Sequence, residues 1–145
     1  MIRRYNTKDQ NKIIQLFKLN VPMYFHPKEE MDLVHYLENE IEDYFVFENN
    51  NEFLGAGGIN YEHENQTTII SWDFIHPLHH KKGIGSQLMQ HRLEHIQSKK
   101  DLYSIRVRTT QLTYKFYEKM GFKLKEIQFD YWEKDFHLYL MTRSI

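Results

Sequence analysis

The apolar positions of the chain run first with a helical period, then alternate, then turn helical again. Ile13, Ile14, Leu16, Phe17 and Val21 lie on one helical stripe. Asn6 and Thr7 offer N-caps ahead of it, and Pro22 ends it. His26-Pro27 opens a second helix, with Glu29 and Glu30 in the first turn, where they complement the helix dipole. Its apolar face is expected to be Met31, Val34, Leu37 and Ile41. Met1 to Tyr5 reads as a short strand before both helices.

From Asp43 the pattern alternates. YFVFE, FLGAGGINY and TTIISWDFIH are three strands separated by the turns NNNE and EHENQ, an antiparallel meander closed by Pro77. Gly55, Gly57 and Gly58 inside the second of these mark a bulge or a close backbone approach. The period then returns to helical: Ile84, Leu88, Met89, Leu93 and Ile96 fit a helix over 83–98. LYSIRVRT is a strand, and Thr113 to Met120 is a short helix stopped by Gly121. FKLKEIQFD and FHLYLMT are two last strands around a YWEKD turn. The order β-α-α-β-β-β-α-β-α-β-β predicts a mixed α/β (α+β) domain over 1–145, with about seven strands and four helices.

Strand 67–76, helix 83–98 and strand 103–109 are most simply a right-handed crossover between parallel neighbours. The loop HPLHHKKGIGS then lies at the C-terminal end of a strand and the N-terminus of a helix. Ligands bind at that edge of open α/β sheets, and the unpaired N–H groups of a helix start favour phosphate. By itself, Gly83-Ile84-Gly85 is equally a tight turn with a glycine at each bend.

Composition narrows the partners. Nineteen Lys and Arg against twenty Asp and Glu give a net charge of −1, which exerts no global pull on nucleic acid or an anionic membrane. No apolar stretch approaches the roughly 18 residues of a membrane span. The N-terminus MIRRYNTKDQ lacks the apolar run of a signal peptide. With no cysteine there is no disulfide framework, thiolate metal site or cysteine nucleophile. A cytoplasmic protein is expected. His76, His79 and His80 sit in a loop without helical register or a supporting acid, so no metal site is assigned.

A second segment gives the loop its context. HKKGIGS together with TYKFYEKMGF resembles the GNAT family of acyl-CoA-dependent N-acetyltransferases, whose element order this chain also follows over essentially its whole length. The family's first signature is Arg or Gln, two free positions, Gly, one free position, then Gly or Ala. Here it reads His80-Lys81-Lys82-Gly83-Ile84-Gly85, with His80 as the departure. The second is matched by Phe116-Tyr117-Glu118-Lys119-Met120-Gly121-Phe122, while Thr110 stands where an Asn is often found.

The resemblance implies a central mixed sheet whose parallel strand pair splays apart to admit acetyl-CoA as co-substrate. It implies that the pyrophosphate rests on the backbone of Lys81, Lys82, Gly83, Gly85 and Ser86, and the pantetheine arm on that of Phe74, Ile75 and His76. It further implies direct attack of an amine on the thioester, with Tyr117 as general acid for the departing thiolate. A phenol with a pKa near about 10 is suited to that task and carries no charge when buried. The general base is less defined. Strand alternation places Ile69, Ser71, Asp73 and Ile75 on one face, so Asp73 is an ionisable residue among apolar neighbours. It is a candidate base, a structural carboxylate, or a bystander to a water chain.

The acceptor is expected to be a small-molecule amine. In the family its pocket forms from the segment between the first two helices and the last hairpin. Here these are NVPMYFHPKEE and FDYWEKDF, which mix Tyr24, Phe25, Tyr131 and Trp132 with Glu29, Glu30, Asp130, Glu133 and Asp135. An aromatic, acidic pocket suits a cationic amine; a helix start and a solvated hairpin tip explain the same residues equally well. Acetylation of a protein N-terminus or lysine, and a non-catalytic acyl-CoA-binding module, stay open. The exposed strands of such a fold are compatible with a homodimer.

Overall fold

The computed structural model describes all residues, Met1–Ile145. Seven strands form one sheet in the order β1-β2-β3-β4-β5-β7-β6. They are β1 (Ile2–Arg4), β2 (Asp43–Asn49), β3 (Glu52–Glu62), β4 (Thr67–Ile75), β5 (Ser104–Thr109), β6 (Lys123–Glu133) and β7 (Phe136–Ser144). Four helices cover it: α1 (Gln10–Lys18), α2 (Glu29–His35), α3 (Ile84–Gln97) and α4 (Tyr114–Lys119). Every strand pair is antiparallel except β4 with β5, joined through α3. No helix is long and apolar enough to cross a membrane.

The sheet carries a core on each side. One joins α3 and Tyr117 of α4 to Phe45, Ile59, Ile70, Ile105, Val107 and Met141. The other joins α1 and α2 to Tyr44, Val46, Phe53, Ala56 and Phe74.

The first two helices differ from expectation at their ends. The chain enters α1 through a turn of 3₁₀ helix at Thr7–Asp9, closed by a capping box in which Asn6 and Asp9 each take the other's backbone N–H or its neighbour's. α1 stops at Lys18, short of Val21. α2 begins at Glu29 and widens after His35 into a π-helical turn, Tyr36–Glu40. Its buried face is Leu33, Tyr36 and Leu37, whereas Met31 is exposed. Leu33, Tyr36 and Leu37 share one face at three- and four-residue spacing, and the buried Tyr36 hydroxyl is satisfied by donating to Asn60 Oδ1 at 2.7 Å.

The last hairpin also reaches further than its apolar run. Tyr131 to Glu133 belong to β6, and only Lys134 and Asp135 turn the chain. Register irregularities after Leu124 and Gln128 absorb the mismatch.

β4 carries the feature on which the site depends. Gly58 pairs with Ser71 and Ala56 with Phe74, so Trp72 and Asp73 together face the single residue Gly57. This is a β-bulge, and Trp72 takes up its strain at φ 46°. β4 pairs with β5 only over Thr67–Ile70, so from Ser71 onward the parallel strands part.

Candidate active site

The bulge reverses the side-chain alternation of β4. Ser71 donates to Asn60 Oδ1 at 2.8 Å on the α1–α2 side, and Trp72 and Phe74 pack in the core on that side. Asp73 and Ile75 turn to the α3–α4 side. The expected common face of Ile69, Ser71, Asp73 and Ile75 is therefore corrected: the extra residue in the strand shifts the period by one.

Asp73 meets two groups there. Tyr117 Oη donates to Asp73 Oδ2 at 2.9 Å, and Arg92 Nη2 lies 2.9 Å from the same oxygen. The Arg92 Nη2–H is not aimed well enough to make a hydrogen bond, so that contact is an ion pair. Arg92 comes from the middle of α3 and is 0% exposed. Its remaining nitrogens reach Leu88 O at 3.2 Å and Gly58 O at 3.3 Å. Burial pushes the Tyr117 phenol well above the usual range, and the Asp73 charge pushes it further, while Arg92 acts in the opposite direction. Tyr117 therefore stays protonated at neutral pH.

Gly57 leaves the room for this cluster. A Cβ at Gly57 would stand 2.6 Å from Arg92 Nη1, 2.8 Å from its Cζ and 2.8 Å from Asp73 Oδ1. In the sequence Gly57 is legible only as a bulge or close approach of the backbone, and Arg92 is not among the expected site residues. A signal was present: Arg92 stands between Leu88 and Ile96 at four-residue spacing, in the apolar stripe of α3.

The backbone at the end of β4 is divided between two sides. The His76 N–H donates to Leu54 O of β3 at 2.8 Å. Alternation turns the Phe74 N–H the same way and the Ile75 groups toward the gap left by β5. Of the three residues expected to meet a pantetheine arm, Ile75 thus has its backbone toward the opening. Its carbonyl accepts from His80 Nε2 at 3.1 Å, and the His80 ring packs on Tyr24 at 5.0 Å between centroids. His76 Nδ1 accepts from the Leu78 N–H and closes the turn that follows. At the other departure from the family pattern, Thr110 Oγ1 accepts from the Leu112 N–H at 3.2 Å, which shapes the approach to α4.

The loop beyond arrives as a helix start. Lys81 has φ 66° and Gly83 φ 83°. The first bond of α3 runs from the Gln87 N–H to Gly83 O at 3.0 Å, which leaves the N–H groups of Ile84, Gly85 and Ser86 without helical partners. Lys81, Lys82, Gly83 and Ser86 are exposed. Nothing but Gln87 Nε2, at 3.9 Å, lies near the space a Cβ at Gly83 would take. Gly85 has a second duty, because a Cβ there would press on the Phe116 ring of α4 at 3.3 Å. An open strand edge, free amides at a helix start and two unpaired lysines are a fit for a pyrophosphate on an extended arm.

The segments expected to bind the acceptor meet one another. Lys28 Nζ lies 3.0 Å from Glu133 Oε1, and His26 packs on Phe136 at 6.0 Å. Phe25 is half-buried and packs against the core on Phe17, Trp72 and Phe74. Trp132 Nε1 donates to Thr109 O at 3.3 Å, and Arg108 covers the Tyr131 and Trp132 rings. Asp130 Oδ1 accepts the Asp135 N–H and so serves the hairpin turn. Glu29 accepts the His26 N–H at 2.9 Å, and burial raises its carboxyl above the usual range.

A family model for the GNAT acetyltransferase domain matches residues 40–124, from the end of the α2 region into β6. No curated protein sequence matches. Solved structures share the fold. The ribosomal-protein-S18-alanine N-acetyltransferase of Escherichia coli superposes with a TM-score of 0.82 at 13% identity, over 100% of this chain and 93% of its own. Ard1 of Thermoplasma volcanium gives 0.80 at 18% identity, over 100% and 97%. An aminoglycoside 6'-N-acetyltransferase crystallised with coenzyme A gives 0.78 at 16% identity, over 99% and 96%. The family match spans β4, the helix-start loop, α3, β5 and α4, the elements that build the site. The chain belongs to the GNAT family of acyl-CoA-dependent N-acetyltransferases.

Proposed function

We propose that the protein transfers an acetyl group to a primary amine on a small molecule, with Tyr117 as general acid. The observation that carries this reading is the Tyr117 phenol, protonated, buried and held by Asp73 at the point where β4 and β5 part. Bound acetyl-CoA supplies a thioester open to direct attack by an amine in a ternary complex. The backbone of Ile75, the amides at Gly83, Gly85 and Ser86, and Lys81 and Lys82 would hold it. Phe74 and His76 support that edge through β3.

Tyr117 holds a proton at Oη for the departing thiolate. Asp73 Oδ2 already faces the Tyr117 hydroxyl and Arg92. We therefore assign Asp73 to holding Tyr117 and leave the amine's proton to water. The small-molecule reading is supported by the way Lys28 reaches Glu133 and His26 reaches Phe136, which draws the helix loop and the hairpin together. A protein acceptor would require a longer open groove. Glu29, partly buried with no cation partner, favours a cationic acceptor.

The test is thiol release from acetyl-CoA across a panel of small amines and short peptides, with Tyr117→Phe beside the wild type. The variant is expected to lose about 10²-fold in kcat while calorimetric affinity for acetyl-CoA holds. Equal turnover by the variant would remove Tyr117 from the mechanism. Turnover of peptides alone would overturn the small-molecule assignment.

A further inference from the structure

We propose that Arg92 is a positioning residue for the transfer: it holds Asp73 so that the carboxylate orients the Tyr117 phenol without keeping its proton. The inference rests on the reading of Tyr117 as general acid.

Arg92 occupies a place where packing alone would select an apolar residue. Leu88, Met89, Leu93 and Ile96 surround it on the buried face of α3, and none is more than 5% exposed. A buried ion pair seldom stabilises a fold more than well-packed hydrophobic side chains of similar volume. The chain nevertheless accepts three costs at this point. It buries a guanidinium, it leaves Nη2 without a well-aimed hydrogen bond, and it needs a glycine at 57 to clear the space. All three converge on the one carboxylate that accepts the Tyr117 hydroxyl.

The chemistry explains why a cation is useful there. The amine nitrogen forms its C–N bond to the carbonyl carbon; as the C–S bond breaks, the electron pair stays on sulfur, the phenolic proton moves from Oη to sulfur, and Tyr117 becomes a phenolate. The amine nitrogen gives up its own proton to water, and the phenolate regains one from solvent, so the cycle closes with amide and free thiol. A lone Asp73 would orient the phenol but oppose its loss of the proton, because its charge sits 2.9 Å from the oxygen that must turn negative. Arg92 against the same Oδ2 offsets that charge. The other phenols close to the cluster, Tyr36 and Tyr44, lie on the opposite face. They donate to Asn60 Oδ1 and Trp72 O and remain neutral.

A double-mutant cycle separates this role from a structural one. The variants are Arg92→Met, Arg92→Lys, Tyr117→Phe and the two combinations, each assayed for kcat and for the acetyl-CoA KM. Arg92→Met is expected to lower kcat by about 10-fold or more with KM held within about 2-fold, and Arg92→Lys to recover part of the loss. In the Tyr117→Phe background neither change at Arg92 should lower kcat further. An equal loss in both backgrounds would make Arg92 a packing residue and overturn the proposal while leaving Tyr117 in place. Full activity of Tyr117→Phe alone would instead remove the acid role, and the proposal with it. Where Arg92→Met fails to fold, Arg92→Lys in the two backgrounds decides by the same comparison.

Discussion

Gly57→Ala is the sharpest probe of the buried cluster, because it alters no charge and no hydrogen-bonding group. The new methyl carbon would stand 2.6 Å from Arg92 Nη1, about an ångström inside the roughly 3.5–4.0 Å of ordinary contact. Exposed arginines swing away from such a clash. Arg92 is 0% exposed and tied to Leu88 O and Gly58 O, so it has nowhere to go without uncoupling from Asp73. Overpacking in a filled core costs about 1–3 kcal/mol, and breaking a buried pair outright costs about 3–5 kcal/mol. The clash strains the pair rather than removing a partner, so the expected loss is about 2–4 kcal/mol. At a urea slope of about 2 kcal/mol/M, this lowers the unfolding midpoint by about 1–2 M. Equilibrium urea unfolding followed by tryptophan fluorescence reads the change, since Trp72 lies in the bulge opposite Gly57. The same alanine placed in an Asp73→Asn, Arg92→Met background should cost less than half as much, because Met has a flexible end and no partner to lose. A loss below about 0.5 kcal/mol in the otherwise unchanged protein, the range of an ordinary surface substitution, would show that Arg92 has room, and the close packing argued for the cluster would be wrong.

Other consequences are independent of that cluster. Gly83→Ala forces a side chain into φ 83°, at a cost of about 1–2 kcal/mol, and brings a methyl group to the face where the amides are free. The acetyl-CoA KM should rise by about 10-fold or more with kcat nearly unchanged, and an unaltered KM in steady-state kinetics would detach the loop from the pyrophosphate. Asp9 is held below the usual carboxylate range first by its hydrogen bonds to Arg3, at 2.8 and 3.1 Å. Its folded pKa is depressed, so its contribution is present above the unfolded value of about 3.9 and is lost as pH falls through the folded value. Asp9→Asn keeps an acceptor for the Asn6 N–H but loses the charged partner of the part-exposed Arg3, and should thus lower stability by about 0.5–1 kcal/mol at neutral pH. That difference should shrink in urea titrations as pH falls below the unfolded value, and a gap that stays constant into acid would contradict the sign. Glu29 is shifted the other way by burial, so Glu29→Gln should stabilise the fold above the carboxylate range and not below it.

The sequence made the order of elements legible because each change of period is long and clean. The stripe from Ile84 to Ile96 and the alternation from Asp43 to Ile75 predict α3 and the β2–β4 meander as they stand. The ends were less legible where polar groups compete. α1 stops at Lys18 although Val21 continues its stripe, and Met31 lies outside the buried face of α2, where Tyr36 packs in the core and finds Asn60 for its hydroxyl. At the candidate site, the helix start after Gly83 is legible from the return of the helical period, whereas the part given to Tyr117 comes from the resemblance of TYKFYEKMGF to the family signature. The backbone division among Phe74, Ile75 and His76 is not legible, since it depends on which neighbour each residue faces.

The bulge in β4 shows why local patterning stopped short of the chemistry. In a regular strand Asp73 would lie on the same face as Ser71, against Asn60 and the α1–α2 core. One extra residue, taken up by Trp72 at φ 46°, sends it to the other face. The same irregularity ends the pairing of β4 with β5 and so opens the sheet. Neither effect has a signature in apolar periodicity, because Trp72 and Phe74 still alternate across Asp73. Two misfits on separate elements do point to it: a carboxylate inside a strand and a guanidinium inside the apolar stripe of α3. Each would be costly to bury alone, so each requires the other. With β4 between β3 and β5, they can meet only if Asp73 faces α3, and only if the residue opposite has no side chain. Arg92, Asp73 and Gly57 are therefore one structural statement written in three places. Tyr117, whose hydroxyl Asp73 accepts, is the group we propose uses it.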